Sequence, residues 1–146
     1  RTRKKIDGVE SFAGGEELVR FLGRTDILIC LLPLTSDTRH ILNARTFAQL
    51  PKDAVVINVA RGGHLKEDDL IAALDSGHLS GATLDVFETE PLPESSPLWG
   101  HPKITVTPHI AAMSDPRVMA KSAVDGIALH RGGKALENVV DFARGY

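Results

Sequence analysis

The chain has 146 residues, 42% of them hydrophobic and 25% charged, which suits one soluble domain of α/β size with an ordinary core. A formal charge of -2 gives no electrostatic case for nucleic acid or a membrane surface. A single cysteine excludes an internal disulfide, no apolar run approaches the roughly 20 residues of a bilayer span, and no secretory leader opens the sequence, so a cytoplasmic setting is expected.

The first residues, Arg1-Thr2-Arg3-Lys4-Lys5, are locally basic, a pattern usual for a solvated loop. Residues 16–22 read as a helix with Leu18, Phe21 and Leu22 on one face, acid in the first turn and Gly23 at the stop. Residues 26–33, DILICLLP, are a continuous apolar run, the pattern of a parallel strand covered by helices on both faces; Cys30 inside it reads as a buried thiol. A weaker helical piece, 44–50, is broken by Pro51, and 54–60, AVVINVA, repeats the strand pattern. Residues 66–76 place Leu70, Ala73 and Leu74 on one helical face, with Glu67, Asp68 and Asp69 in the first turn and Gly77 at the stop. Residues 82–87 and 104–107 complete four strand candidates. In the last helix Asp115 is the cap, Pro116 fits the first position, Val118, Met119, Ala123 and Ile127 line one face, and Gly132-Gly133 end it.

Strands alternating with helices of this size imply an open parallel sheet of the doubly wound type, in which ligands sit at the carboxyl ends of the strands. Those ends deliver Thr35 and Thr38, then Arg61, then residues 85–90, then His109. No G-x-G-x-x-G turn occurs. In the dinucleotide-binding order 3-2-1-4-5-6 the four strands would be numbers three to six, with the first two strands and the phosphate-binding turn outside the sequence. The expectation is the C-terminal part of a larger protein, beginning just after the second strand.

Arg61 follows an apolar strand and precedes two glycines, so its guanidinium can project from a tight turn and take a carboxylate in two-point contact. The alternative is a surface arginine paired with Glu67 or Asp68. His109 closes the last strand, and Glu90 stands at the end of the neighbouring one, so a carboxylate can fix the imidazole tautomer and make the ring a general acid. The alternative there is a satisfied histidine at a strand terminus. No metal site is expected, because the six histidines, at 40, 64, 78, 101, 109 and 130, are scattered as surface residues would be and form no H-x-x-x-H pair. A nucleophilic triad is equally weak, without a G-x-S-x-G elbow, and Trp99 reads as packing. The basic run, placed after an inferred second strand, could accept the 2′-phosphate of NADP.

Together, Leu31-Leu32-Pro33-Leu34-Thr35 with Thr38, Asn58-Val59-Ala60-Arg61-Gly62, Asp85-Val86-Phe87 with Glu90-Pro91, and Thr107-Pro108-His109 resemble the successive motifs of the D-2-hydroxyacid dehydrogenases. Within that family Ala60-Arg61-Gly62-Gly63-His64-Leu65, Pro91-Leu92-Pro93 and Ala143-Arg144-Gly145-Tyr146 look most like the bacterial glyoxylate/hydroxypyruvate reductase A type. The resemblance implies that residues 1–131 belong to the NAD(P)-binding domain and that 132–146 return toward a substrate domain. It implies that Arg61 binds the substrate carboxylate, that His109 is the acid and base with Glu90 as its partner, and that Asp85 binds the nicotinamide carboxamide. Leu32, Pro33, Thr38, Ala60 and Arg61 would border the cofactor. Arg1 and Arg3 match the basic segment of NADPH-preferring members, implying NADP(H) ahead of NAD(H). Formate dehydrogenases of this fold carry glutamine where Glu90 stands. The expected activity is reduction of glyoxylate or hydroxypyruvate by a full-length homodimer, and the alternative is a dinucleotide-sensing scaffold of the corepressor kind.

Overall fold

A computed structural model of the chain describes residues 6–136 and 138–143. In chain order the elements are α1 (Gly15–Leu22), β1 (Ile27–Cys30), α2 (Ala44–Phe47), β2 (Ala54–Asn58), a 3-10 turn (Gly62–His64), α3 (Glu67–Asp75), β3 (Leu79–Leu84), β4 (Ile104–Val106) and α4 (Pro116–Arg131). The strands pair in the order β1-β2-β3-β4, all parallel. Cys30 stands opposite Asn58, Asn58 opposite Leu84, and Leu84 opposite Val106, so every strand ends on one shared edge.

This order corrects the expected strand numbering. A third strand in the order 3-2-1-4-5-6 would be held away from the fourth by two others, yet β1 pairs directly with β2. Four neighbours in chain order are what results when each new strand is added outside the last.

The core occupies one side of the sheet. Leu28, Cys30, Val56, Ala82 and Leu84 are buried with Leu22 of α1, Phe47 of α2 and Leu70 and Leu74 of α3. Successive strand residues point to opposite faces, and on the other face Ile27 and Ile29 remain 59% and 52% exposed. The expected cover on both faces is therefore found on one face only among the described residues. The stripe expected on α4 is likewise exposed at Val118, Met119 and Ile127, and α4 buries none of its residues. Its caps match the expectation: the Asp115 carboxylate accepts from the Arg117 N–H, Pro116 opens the helix, and Gly132 closes it.

The limits of all four strands differ from those expected: β2 ends at Asn58 rather than residue 60, β3 at Leu84 rather than 87 and β4 at Val106 rather than 107. β1 stops at Cys30 because residues 33–39 fold into a turn of their own, in which Thr38 Oγ1 donates to Pro33 O at 2.7 Å and accepts from Thr35 N at 2.8 Å. β3 starts at Leu79 and runs through Gly81, which interrupts the apolar pattern without ending the strand. No helix among the described residues is long and apolar enough to cross a membrane.

Candidate active site at the carboxyl edge

The turn carrying Arg61 is built by its neighbours. Asn58, fully buried at the end of β2, accepts from Ala60 N at 3.2 Å and donates to Arg61 O at 3.1 Å, a side-chain-made reversal that needs no backbone partner. Next comes Gly62, where a Cβ would lie 1.9 Å from the carbonyl carbon and oxygen of Phe87. Only glycine lets the two strand-end loops touch there. The Arg61 side chain stays exposed, donates to Ala60 O at 2.6 Å and has no carboxylate partner among the described residues. Neither Glu67, which accepts from Glu88 N at 3.3 Å, nor Asp68 pairs with Arg61 among the described residues.

Glu90 and His109 meet as expected, with Nδ1 2.8 Å from Oε2. A carboxylate can only accept, so Nδ1 carries the hydrogen and Nε2 is the free nitrogen of the ring. The other oxygen of Glu90 accepts from Phe87 N at 3.0 Å. The bond from His109, then that from Phe87, hold the Glu90 carboxyl below the ordinary glutamate range, aided by the charges of His109 and Arg61 and opposed by partial burial. His109 itself has φ 53°, the left-handed region that side chains seldom adopt.

Asp85 holds that conformation. Its carboxylate, 2% exposed, accepts from Thr107 Oγ1 at 2.5 Å, Ile110 N at 3.0 Å and Ala111 N at 2.9 Å, so both sides of His109 are tied to the residue that follows β3. Burial works to raise the Asp85 pKa, but the bonds from Thr107, Ala111 and Ile110, with the His109 charge, outweigh it and leave the carboxyl below its ordinary range.

Arg61, Glu90 and His109 line one cavity of about 280 Å³, with Gly62, Gly63 and the Arg39–Glu88 ion pair of 3.1 Å on its wall. A second cavity of about 520 Å³ adjoins it through Leu34 and Arg61 and is walled by Leu31, Leu32, Pro33 and Ala60. That shelf of aliphatic side chains, backbone polar atoms and Arg61 has room for a flat ring lying next to a carboxylate-bearing molecule. Thr38 instead faces a larger cavity of about 630 Å³ on the α1 side. Among the described residues no group of three or more His, Cys, Asp or Glu side chains could hold a metal ion.

Arg1 and Arg3 lie outside the described residues. Trp99, expected to pack, is 55% exposed and donates its ring N–H to Pro93 O at 3.0 Å, while neighbouring Leu98 takes the buried position. His64, counted among scattered surface histidines, is fully buried. Asn58 and Thr107 are the supporting groups that the sequence reading left without a role. Asn58 had a usable signal, an amide side chain at a strand end before a glycine turn.

These features define an α/β protein of the dinucleotide-binding type with an arginine and a carboxylate-paired histidine at its ligand edge. A family model described as D-isomer specific 2-hydroxyacid dehydrogenase, NAD binding domain, matches residues 1–111, and the chain belongs to that family. Over all 146 residues it is 50% identical to a glyoxylate/hydroxypyruvate reductase A from Yersinia enterocolitica and 51% identical to one from Salmonella paratyphi B, covering 47% of each. The chain thus spans about half the length of these relatives. Among solved structures, all of it superposes on 60% of a D-isomer specific 2-hydroxyacid dehydrogenase from Xanthobacter autotrophicus in complex with NADPH and MES, at TM-score 0.96 and 49% identity. It also superposes on 48% of an NADPH-dependent glyoxylate/hydroxypyruvate reductase from Sinorhizobium meliloti in complex with NADP and sulfate, at TM-score 0.94 and 48% identity.

Proposed function

We propose that the chain forms the cofactor-binding part of an enzyme that reduces a small 2-oxo acid, glyoxylate or hydroxypyruvate, to the 2-hydroxy acid with NADPH. The observation that carries this reading is the Glu90–His109 pair of 2.8 Å opening onto the same cavity as Arg61, which has no carboxylate partner among the described residues. NADPH, when bound, supplies the hydride that reaches the carbonyl carbon. Nε2 of protonated His109 gives its proton to the carbonyl oxygen, so the carbonyl becomes an alcohol and the ring is left neutral. Glu90 stabilises the protonated ring, and its lowered pKa keeps it ionised to do so. The guanidinium of Arg61 grips the substrate carboxylate and offsets charge developing on the carbonyl oxygen.

The shelf of Leu31, Leu32, Pro33 and Ala60 borders the nicotinamide, and the basic run with Arg1 and Arg3 selects the 2′-phosphate. Asp85 has three donors across its two oxygens and is 2% exposed, so it supports the site by holding residues 107–111, and its contact with the carboxamide rests on the family likeness alone. The NADP(H) preference is supported by the NADPH and NADP complexes of the two structural relatives. Residues 132–146 return to a substrate domain in a cytoplasmic homodimer. The test is NADPH absorbance with the full-length protein and glyoxylate or hydroxypyruvate. Turnover is expected; tight NADPH binding with no turnover of any short 2-oxo acid would favour a dinucleotide-sensing scaffold.

A further inference from the structure

His64 is a fully buried polar side chain with no part in the proton transfer above. Its Nδ1 lies 3.0 Å from Arg61 O and its Nε2 3.3 Å from Pro33 O. The ring therefore bridges the two strand-end loops that wall the cofactor shelf and carry the substrate arginine. A leucine would fill similar space without the desolvation that a buried imidazole brings, so the polar ring is favoured here by the hydrogen bond that its N–H gives to Arg61 O or Pro33 O, the tautomer deciding which. Both contacts are acceptors, and a neutral imidazole has one N–H. Neither carbonyl is left orphaned by that shortage, because Arg61 O also takes Asn58 Nδ2 and the His64 amide, and Pro33 O takes Thr38 Oγ1. The turn is further stitched to residues 40–42, with His40 N donating to Gly63 O and Leu42 N to His64 O, both at 2.9 Å. The ring is thus anchored at its own backbone and acts as a strut.

We propose that His64 is a positioning residue that sets the spacing between the Pro33 loop and Arg61, and so couples the cofactor shelf to the carboxylate grip. This rests on the function proposed above. The variants H64L, H64N and H64Q in the full-length protein test it, by calorimetric Kd for NADPH and, with NADPH bound, for oxamate as a stable 2-oxo acid analogue. H64L should weaken both by about tenfold, the scale of one lost buried hydrogen bond. An Asn amide nitrogen falls where Nδ1 was and a Gln amide nitrogen where Nε2 was. Only the amide that replaces the ring's one N–H restores the strut, so one of H64N and H64Q should recover both affinities and the other neither. Equal recovery by Asn and Gln, or a lowered melting temperature with both affinities within twofold of the parent, overturns the inference. If H64L does not fold, the Asn and Gln pair decides alone. A parent protein that binds neither probe overturns this inference along with the function, whereas binding of both without turnover removes the function alone.

Discussion

His109 has a backbone conformation that costs on the order of 1–3 kcal/mol for a residue with a side chain, and the Asp85 carboxylate offsets that cost with three hydrogen bonds around it. Asp85→Asn would turn an amide toward donors, and at pH 7 it should lower unfolding stability in urea by about 1–3 kcal/mol. Because the folded Asp85 pKa is lowered, its contribution is full above the ordinary aspartate range near pH 3.9 and fades as pH falls through the lower folded value. The gap between parent and Asp85→Asn in urea titrations should therefore close on acidification; a gap that widens would refute this account. Arg61→Lys keeps the charge and loses the fork, so kcat/KM for the 2-oxo acid should fall by roughly a hundredfold in steady-state assays. Arg61, Glu90 and His109 were legible because each is a chemically distinct residue at the end of an apolar run. The grip of Asp85 on residues 110–111 was not, since its partners are backbone N–H groups, which every residue but proline carries.

The elements show a similar division. Apolar runs located all four strands, yet β1 ended early because hydrogen bonds from Thr38 within residues 33–39 compete with the sheet for the backbone. The Gly62–His64 turn had no periodic signal, being three residues long. Its glycines give a sharp contrast to measure. Gly62→Ala sets a methyl 1.9 Å from fixed backbone atoms of Phe87, so the loops must part; the melting temperature should drop by more than about 10 °C, or the protein should not fold. In Gly63→Ala the nearest atom is Leu34 Cδ2 at 3.1 Å, the end of a side chain that can swing away. That variant should melt within about 4 °C of the parent. Equal losses in the two variants would mean that the Arg61 and Phe87 loops do not pack as described.

At the scale of the molecule, one face of the sheet has a helical layer and the other shows Ile27 and Ile29 to solvent, as α4 shows Val118, Met119 and Ile127. Open apolar surface of this extent promotes association. The 146 residues produced alone should therefore self-associate in sedimentation experiments and give no NADPH-dependent reduction, while protein of the relatives' length should be active; a monomeric, active fragment would contradict both expectations. The apolar runs raised an expectation of cover on two faces, met on one face among the described residues, because hydrophobic runs cannot say which chain segment supplies it. The placement of Cys30 gives a way to watch that sheet. It is the sole thiol of the chain, 3% exposed in β1, and burial raises its pKa, so the reactive thiolate is scarce while the fold is closed. Alkylation of this one sulfur becomes a clock for opening of the sheet edge, and ligands that hold the Leu31 to Pro33 loop in place should slow it in proportion to their occupancy.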